Sequence, residues 1–220
     1  MNLDGSDVFQ VSSAIPVAGF NLEEIDFTWG SNDSHIYYPS FDKLYRIQPN
    51  GANLTQVHQT SNGNFISEVD WNEQNSILAL KTNNSNGYNV SIYTINASGV
   101  LQDTVLTGVS GAAGGLDFSF DGSQLLYTYD ISGNENVEYR ILNSNMFIYD
   151  FNTLSSENVS DGKSPGSNDL DPRFSPNGSQ LIFVNTSNDG VSQKNILTTN
   201  INQQESRKVI YSNALMPDWK

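Results

Sequence analysis

The chain has no cysteine, so disulfides and thiolate metal sites are excluded. Histidine is nearly absent, with only His35 and His58. One opens a predicted strand and the other ends a different one. A His-rich metal site is therefore excluded, and a Ser–His–Asp triad is not expected. No Gly-x-Ser-x-Gly elbow and no Asp-x-Asn-x-Asn-Gly calcium loop occurs. Basic residues are scarce: 10 Lys and Arg face 24 Asp and Glu, for a net charge of −14. That balance disfavours nucleic acid, where Lys and Arg contacts to phosphate dominate affinity. It disfavours an anionic membrane surface equally. It suits a basic protein partner or a cation, and it keeps a β-rich protein soluble. No apolar run approaches the length of a membrane span.

What the chain does have is turn and strand chemistry. Asn and Ser number 28 each. Both compete for backbone hydrogen bonds and so favour turns over helix interiors. Tyr, Phe and Trp make up 11% of the residues, which suits strands. No helix of useful length is predicted, and Glu135–Leu142 reads as part of a loop.

The sequence repeats itself. Leu116 begins LDFSFDGSQLLYTY and Asp171 begins DPRFSPNGSQLIFV. Looser copies begin at Ile25 (IDFTWGSNDSHIYY) and Val69 (VDWNEQNSILAL), and Met216 begins MPDW. The anchoring aromatics are Phe27, Trp71, Phe118, Phe174 and Trp219, spaced 44, 47, 56 and 45 residues apart. A purely β pattern with a period of about 40–50 residues predicts the blades of a β-propeller. Each unit divides into four strands. The first carries the anchor. The second is an apolar run: His35–Tyr38, Ile77–Leu80, Leu125–Tyr129 and Leu181–Val184. The third is Lys43–Ile47, Val90–Ile95, Met146–Phe151 and Asn195–Thr199. The fourth and weakest is Leu54–Val57, Thr104–Leu106, Glu157–Val159 and Lys208–Tyr211.

The expected fold class is thus all-β: a β-propeller of four-stranded antiparallel blades, with four complete repeats plus a terminal strand at each end. One domain covers residues 1–220, with repeats at about 21–62, 63–108, 109–162 and 163–213. Residues 1–20 and 214–220 would belong to a further blade, because Asp4–Val11 lines up with Asn50–Val57. No basic and then apolar secretion signal follows Met1. A start inside a hairpin leads us to expect a segment of a larger propeller. A homodimer through the frayed blade edges is a second route to closure.

Pro172–Val184 and Asp117–Tyr129 resemble the repeat of TolB-type propellers, in which the first strand runs Pro-x-aromatic-Ser-Pro-Asp/Asn-Gly. The match is loose in the first two repeats, where Trp29 replaces Pro and Glu73-Gln74-Asn75 replaces Pro-Asp-Gly, so those turns are expected to differ. The resemblance implies an exported bacterial protein, periplasmic or extracellular, that binds a protein partner through one face. It also implies a second use, as the accessory propeller of a cell-envelope hydrolase or peptidase. A carbohydrate-binding propeller stacking sugars on Tyr129 and Tyr139 is a third reading.

No catalytic residue, metal ligand or cofactor is assigned. Gly108–Gly115 lacks the Lys and the helix of a phosphate loop and reads as a flexible connection. Ser119, Ser123, Ser175 and Ser179 read as turn caps. Asp26, Asp70, Asp117 and Asp218 each precede an anchor aromatic, with Arg173 in that place in the fourth repeat. Repetition puts them near one level around the axis. There they accept backbone hydrogen bonds from neighbouring blades, or line a cation site; the first reading is preferred. The long third repeat gains its extra residues between its second and third strands. Loops on a rigid scaffold carry much of binding. The candidate partner-binding residues are therefore Asp130, Glu135, Glu138, Tyr139 and Arg140. The expected function is a non-catalytic, exported module that recognises a protein partner through this loop face.

Overall fold

The computed structural model describes residues 6, 8–19, 25–133, 142–188 and 192–219. They form four antiparallel sheets of four strands each, in simple meander order. The first sheet holds β1 (Thr28–Gly30), β2 (His35–Ser40), β3 (Lys43–Ile47) and β4 (Thr55–Gln59). The second holds β5 (Phe65–Asn72), β6 (Ile77–Asn83), β7 (Val90–Asn96) and β8 (Leu101–Val109). The third holds β9 (Ala113–Phe118), β10 (Gln124–Asp130), β11 (Ser144–Asp150) and β12 (Ser155–Asn158). The fourth holds β13 (Ser167–Phe174), β14 (Gln180–Ser187), β15 (Asn195–Asn200) and β16 (Gln203–Ser212). The second, third and fourth strands predicted for each of the four repeats all overlap one of these.

The tight turns between first and second strands follow from side-chain chemistry. In the third sheet, Ser119 Oγ donates to Asp121 Oδ1 at 2.8 Å and accepts from the Gln124 amide at 3.0 Å. In the fourth, Ser175 Oγ donates to Asn177 Oδ1 at 2.8 Å and accepts from the Gln180 amide at 2.9 Å. The glycine that follows, Gly122 or Gly178, takes a positive φ of 71° or 66°. The first two turns differ, as expected. Ser31, Asn32 and Asp33 hold φ of 55°, 52° and 58° in succession. In the second, Asn72 Oδ1 accepts from the Asn75 amide at 2.8 Å.

Strand alternation sends side chains to both faces of each sheet, so the core lies between sheets. Tyr37, Leu44, Ile66, Val69, Leu78 and Leu80 fill the first joint. Leu116, Phe118, Leu125, Tyr127, Val90 and Ile92 fill the second, and Leu126, Met146, Phe174, Leu181 and Phe183 the third. Among the described residues the sheets pack in chain order, and the first does not pack face to face on the fourth. The anchors show the consequence. Phe118 and Phe174 are 8% and 7% exposed, whereas Phe27, with no sheet packed on its side, is 56% exposed.

The expected terminal strands do not form among the described residues. Residues 8–19 make a single bridge, Ala18 to Ser40, and 213–219 make none. A lone outer strand has no inner strands to pair with. Instead, Val11 and Ile15 pack on Tyr38, Tyr45 and Ile47 and cover the open face of the first sheet.

Candidate functional site

The innermost strands converge on an axial cavity of about 810 Å³, lined by Asp26, Glu68, Lys81, Asp171, Arg173 and Asp218 among others. Irregularities in those strands shape it. Pairing of β5 with β6 shifts between Ile66 and Glu68, and pairing of β13 with β14 shifts between Leu170 and Arg173. On the third sheet, β10 opposite β9 shifts between Leu126 and Thr128. Such bulges turn side chains out of alternation and leave amides without a ladder partner. Two of the bulged residues, Gly115 and Asp171, have φ of +67° and +48°.

Carboxylates serve those amides. Glu68 Oε2 accepts from the Gly115 and Leu116 amides of the next sheet at 2.6 and 3.3 Å, while its Oε1 pairs with Lys81 Nζ at 2.9 Å. Asp70 Oδ2 accepts from the Phe118 amide at 2.9 Å. Asp117 Oδ2 accepts from the Phe174 amide at 2.6 Å. The Asp that precedes the anchor thus staples its sheet to the next at two joints. At both ends it turns to its own chain: Asp26 accepts from the Phe27 amide at 2.7 Å and Asp218 from the Trp219 amide at 2.8 Å. Glu68 was not singled out from the sequence, because the bulge puts it out of phase with the repeat. Glu68→Ala would leave two amides and Lys81 unserved. It is expected to cost about 2 kcal/mol in urea unfolding. An unchanged midpoint would mean that water serves those groups as well.

Burial and crowding shape the charges here. Burial, and then the neighbouring Asp70 charge, push Asp117 up to about 8. Burial raises Asp70 to about 6 and also lifts Asp26 and Asp171. Arg173 is the counter-charge: it forms an ion pair with Asp171 at 2.9 Å and feels Asp117, Asp70 and Glu68. Among the described residues no three His, Cys, Asp or Glu side chains are placed to hold a metal ion.

The two ends of the long third-repeat loop stand beside this cavity, since Asp130, Leu142 and Ser144 line it. Asp130 needs a correction. It is 0% exposed, and its carboxylate accepts from the Ser132 amide, the Asn143 amide and Ser132 Oγ at 3.0, 2.8 and 2.8 Å. A buried, saturated carboxylate ties off the loop base and does not reach a partner. Lys163 Nζ clamps the same base from the neighbouring loop, donating to Asn143 Oδ1 and the Ser144 carbonyl at 2.8 and 2.9 Å. Glu135, Glu138, Tyr139 and Arg140 lie outside the described residues. Tyr129 is partly buried and packs on Phe147 at 6.2 Å, so it is no open stacking platform. The Gly108–Gly115 stretch is largely strand, and the connection shrinks to Ser110–Ala112.

The two histidines are each engaged locally. His58 Nδ1 lies 3.0 Å from the Gly99 carbonyl, which only accepts, so that nitrogen donates. In the neutral ring Nε2 then accepts from Tyr93 Oη at 3.1 Å. His35 meets Ser34 Oγ at 2.8 Å.

Repeated four-stranded sheets around an axial cavity define a β-propeller. No protein-family model matches the sequence, and no curated protein matches it. Solved structures do match by fold. TolB from Acinetobacter baumannii is 14% identical, with a TM-score of 0.66 over 87% of this chain and 44% of that one. An oligogalacturonate lyase in complex with manganese is 12% identical, with a TM-score of 0.63 over 87% of this chain and 53% of that one. A prolyl endopeptidase is 12% identical, with a TM-score of 0.60 over 86% of this chain and 29% of that one. The fold is that of a TolB-type β-propeller, and the chain spans less than half the length of the Acinetobacter protein.

Proposed function

We propose that this chain is a non-catalytic, exported binding module that recognises a protein partner through the face bearing the third-repeat loop and the mouth of the axial cavity. The observation that carries this reading is the loop base: Asp130 and Lys163 close it into a rigid collar beside the cavity. Glu135, Glu138, Tyr139 and Arg140 supply the contacts beyond that collar. The chain is strongly acidic, so the partner presents basic groups to this face. A photo-crosslinker at Ser132 is expected to trap one partner in the producing cells, and the same group at Ser156, on outer strand β12, is not. Replacing 134–141 with Asn-Gly is expected to abolish the Ser132 adduct. Identical adducts from both positions, or an adduct that survives the replacement, would sink the proposal.

A second reading is the accessory propeller of a longer envelope hydrolase or peptidase. Its support is the likeness to part of a lyase and to 29% of an endopeptidase chain. A hydrolase sequence in the same reading frame would favour it over the first.

A further inference from the structure

An Asn-Gly step can react with itself. The glycine amide nitrogen attacks the side-chain carbonyl carbon of the asparagine, and glycine puts no side chain in the way. The attack needs that amide released from any acceptor, because a donated N–H is held in place and gives up its proton less readily. A donor at the carboxamide oxygen helps, since that oxygen gains charge in the tetrahedral intermediate. The sequence holds four such steps: Asn50-Gly51, Asn62-Gly63, Asn86-Gly87 and Asn177-Gly178. All four lie in turns between strands.

Their hydrogen bonds separate them. The Gly51 amide donates to the Gln48 carbonyl at 2.8 Å, Gly87 to the Asn84 carbonyl at 3.0 Å and Gly178 to the Ser175 carbonyl at 2.8 Å. Each of these nitrogens is occupied within its own turn. Asn177 is held from its other side too: its Oδ1 accepts from Ser175 Oγ, the Ser179 amide and Ser179 Oγ at 2.8, 3.1 and 2.7 Å. Gly63 differs. Among the described residues nothing accepts from its amide. Asn62 and Gly63 are exposed, and a Cβ placed on Gly63 would meet no atom within 4 Å. The Asn62 carboxamide is nonetheless oriented, because its Oδ1 accepts from the Asn64 amide at 3.1 Å. The base of the turn is fixed: Asn64 is buried, and its carbonyl accepts from Thr60 Oγ1 at 2.7 Å.

We propose that Asn62-Gly63 is a self-modification site in the link between β4 and β5, where the folded chain converts asparagine to aspartate and isoaspartate ahead of its other three Asn-Gly steps. The Gly63 nitrogen gives its proton to solvent and bonds to Asn62 Cγ. The bond from Cγ to Nδ2 then breaks, and the amide nitrogen leaves as ammonia with a proton taken from water. Water opens the resulting cyclic imide at either carbonyl. One opening leaves the backbone as it was, with aspartate in place. The other routes the backbone through the side chain, as isoaspartate. Water replaces ammonia and nothing is oxidised or reduced. The link gains one carboxylate in a chain whose net charge is already −14.

Peptide mapping by mass spectrometry after incubation at mildly alkaline pH tests this, with the folded chain and the chain in urea run side by side. In the folded chain, conversion at Asn62 is expected to run at least about tenfold ahead of Asn177, the factor supplied by hydrogen bonds that must first break there. Asn50 and Asn86 are expected to lag as well. In urea the turns are lost, and the four rates are expected to converge. Asn62→Gln is expected to remove the leading acidic variant on ion exchange, because the longer side chain does not close the same five-membered ring. Conversion at Asn62 no faster than at Asn177 in the folded chain overturns the inference. So does a lead for Asn62 that persists unchanged in urea, or a leading variant that survives Asn62→Gln.

Discussion

Replacing Arg173 with alanine is expected to cost about 1–3 kcal/mol of folding stability at pH 8 and much less at pH 5. Arg173 is the residue that breaks the repeat: where the other units carry Asp before the anchor, the fourth carries this cation. Its guanidinium pairs with Asp171 at 2.9 Å and also donates to the Pro172 carbonyl at 2.8 Å. It is the shared counter-charge for Asp117, Asp70 and Glu68 as well. Removing it at pH 8 strands several partly buried negative charges together. At pH 5 the raised carboxyls take up protons instead, so less repulsion remains. Arg173→Asp would make the fourth repeat match the others. It is expected to be worse than alanine at pH 8, because it adds a fifth carboxyl to the group. Urea unfolding at both pH values checks this. An equal loss at pH 5 and pH 8 would mean that Arg173 acts through the packing of its stem rather than its charge.

Asp169→Ala, which breaks a buried pair, is expected to cost a larger amount, about 3–5 kcal/mol, with little pH dependence above neutrality. Asp169 sits on the innermost strand of the fourth sheet and is 0% exposed. It accepts from Ser160 Oγ at 2.7 Å and Asn185 Nδ2 at 2.8 Å, and it forms an ion pair with Arg207. Arg207 comes from the outermost strand, β16, and lies over the Phe183 ring at 4.8 Å from its centre. One side chain thus ties the outer edge of the sheet to its axis. Truncating Asp169 leaves that guanidinium, 10% exposed, without its charge partner. The double variant Asp169→Ala with Arg207→Met is expected to recover much of the loss, since no uncompensated charge remains buried. A double variant as unstable as Asp169→Ala alone would assign the effect to the lost Ser160 and Asn185 bonds.

The features legible in the sequence share a physical property: they depend on neighbours within a few residues. The Ser-x-Asp-Gly-Ser and Ser-x-Asn-Gly-Ser turns close through bonds spanning two to five residues. The strands follow from apolar alternation, and the period follows from the spacing of the anchors. The staple role of Asp70 and Asp117 was also readable, because a residue repeated at one place in successive units can repeat its contact there.

Tertiary structure decided what depends on phase and on distant partners. Bulges on the second and fourth inner strands bring Glu68 and Asp171 to the cavity, and a slip of phase is invisible to a period count. Asp130 looked like a loop residue free to bind. It is buried because Asn143, thirteen residues later, and Ser132 return to it. Asp169 and Arg207, 38 residues apart, meet only because Arg207 reaches from the outer strand over the face of the sheet to the inner strand. Local chemistry therefore determined the strands, the turns and the repeat. Which carboxyls meet at the cavity, and how few cations they share, was set by the convergence of separate sheets on one axis.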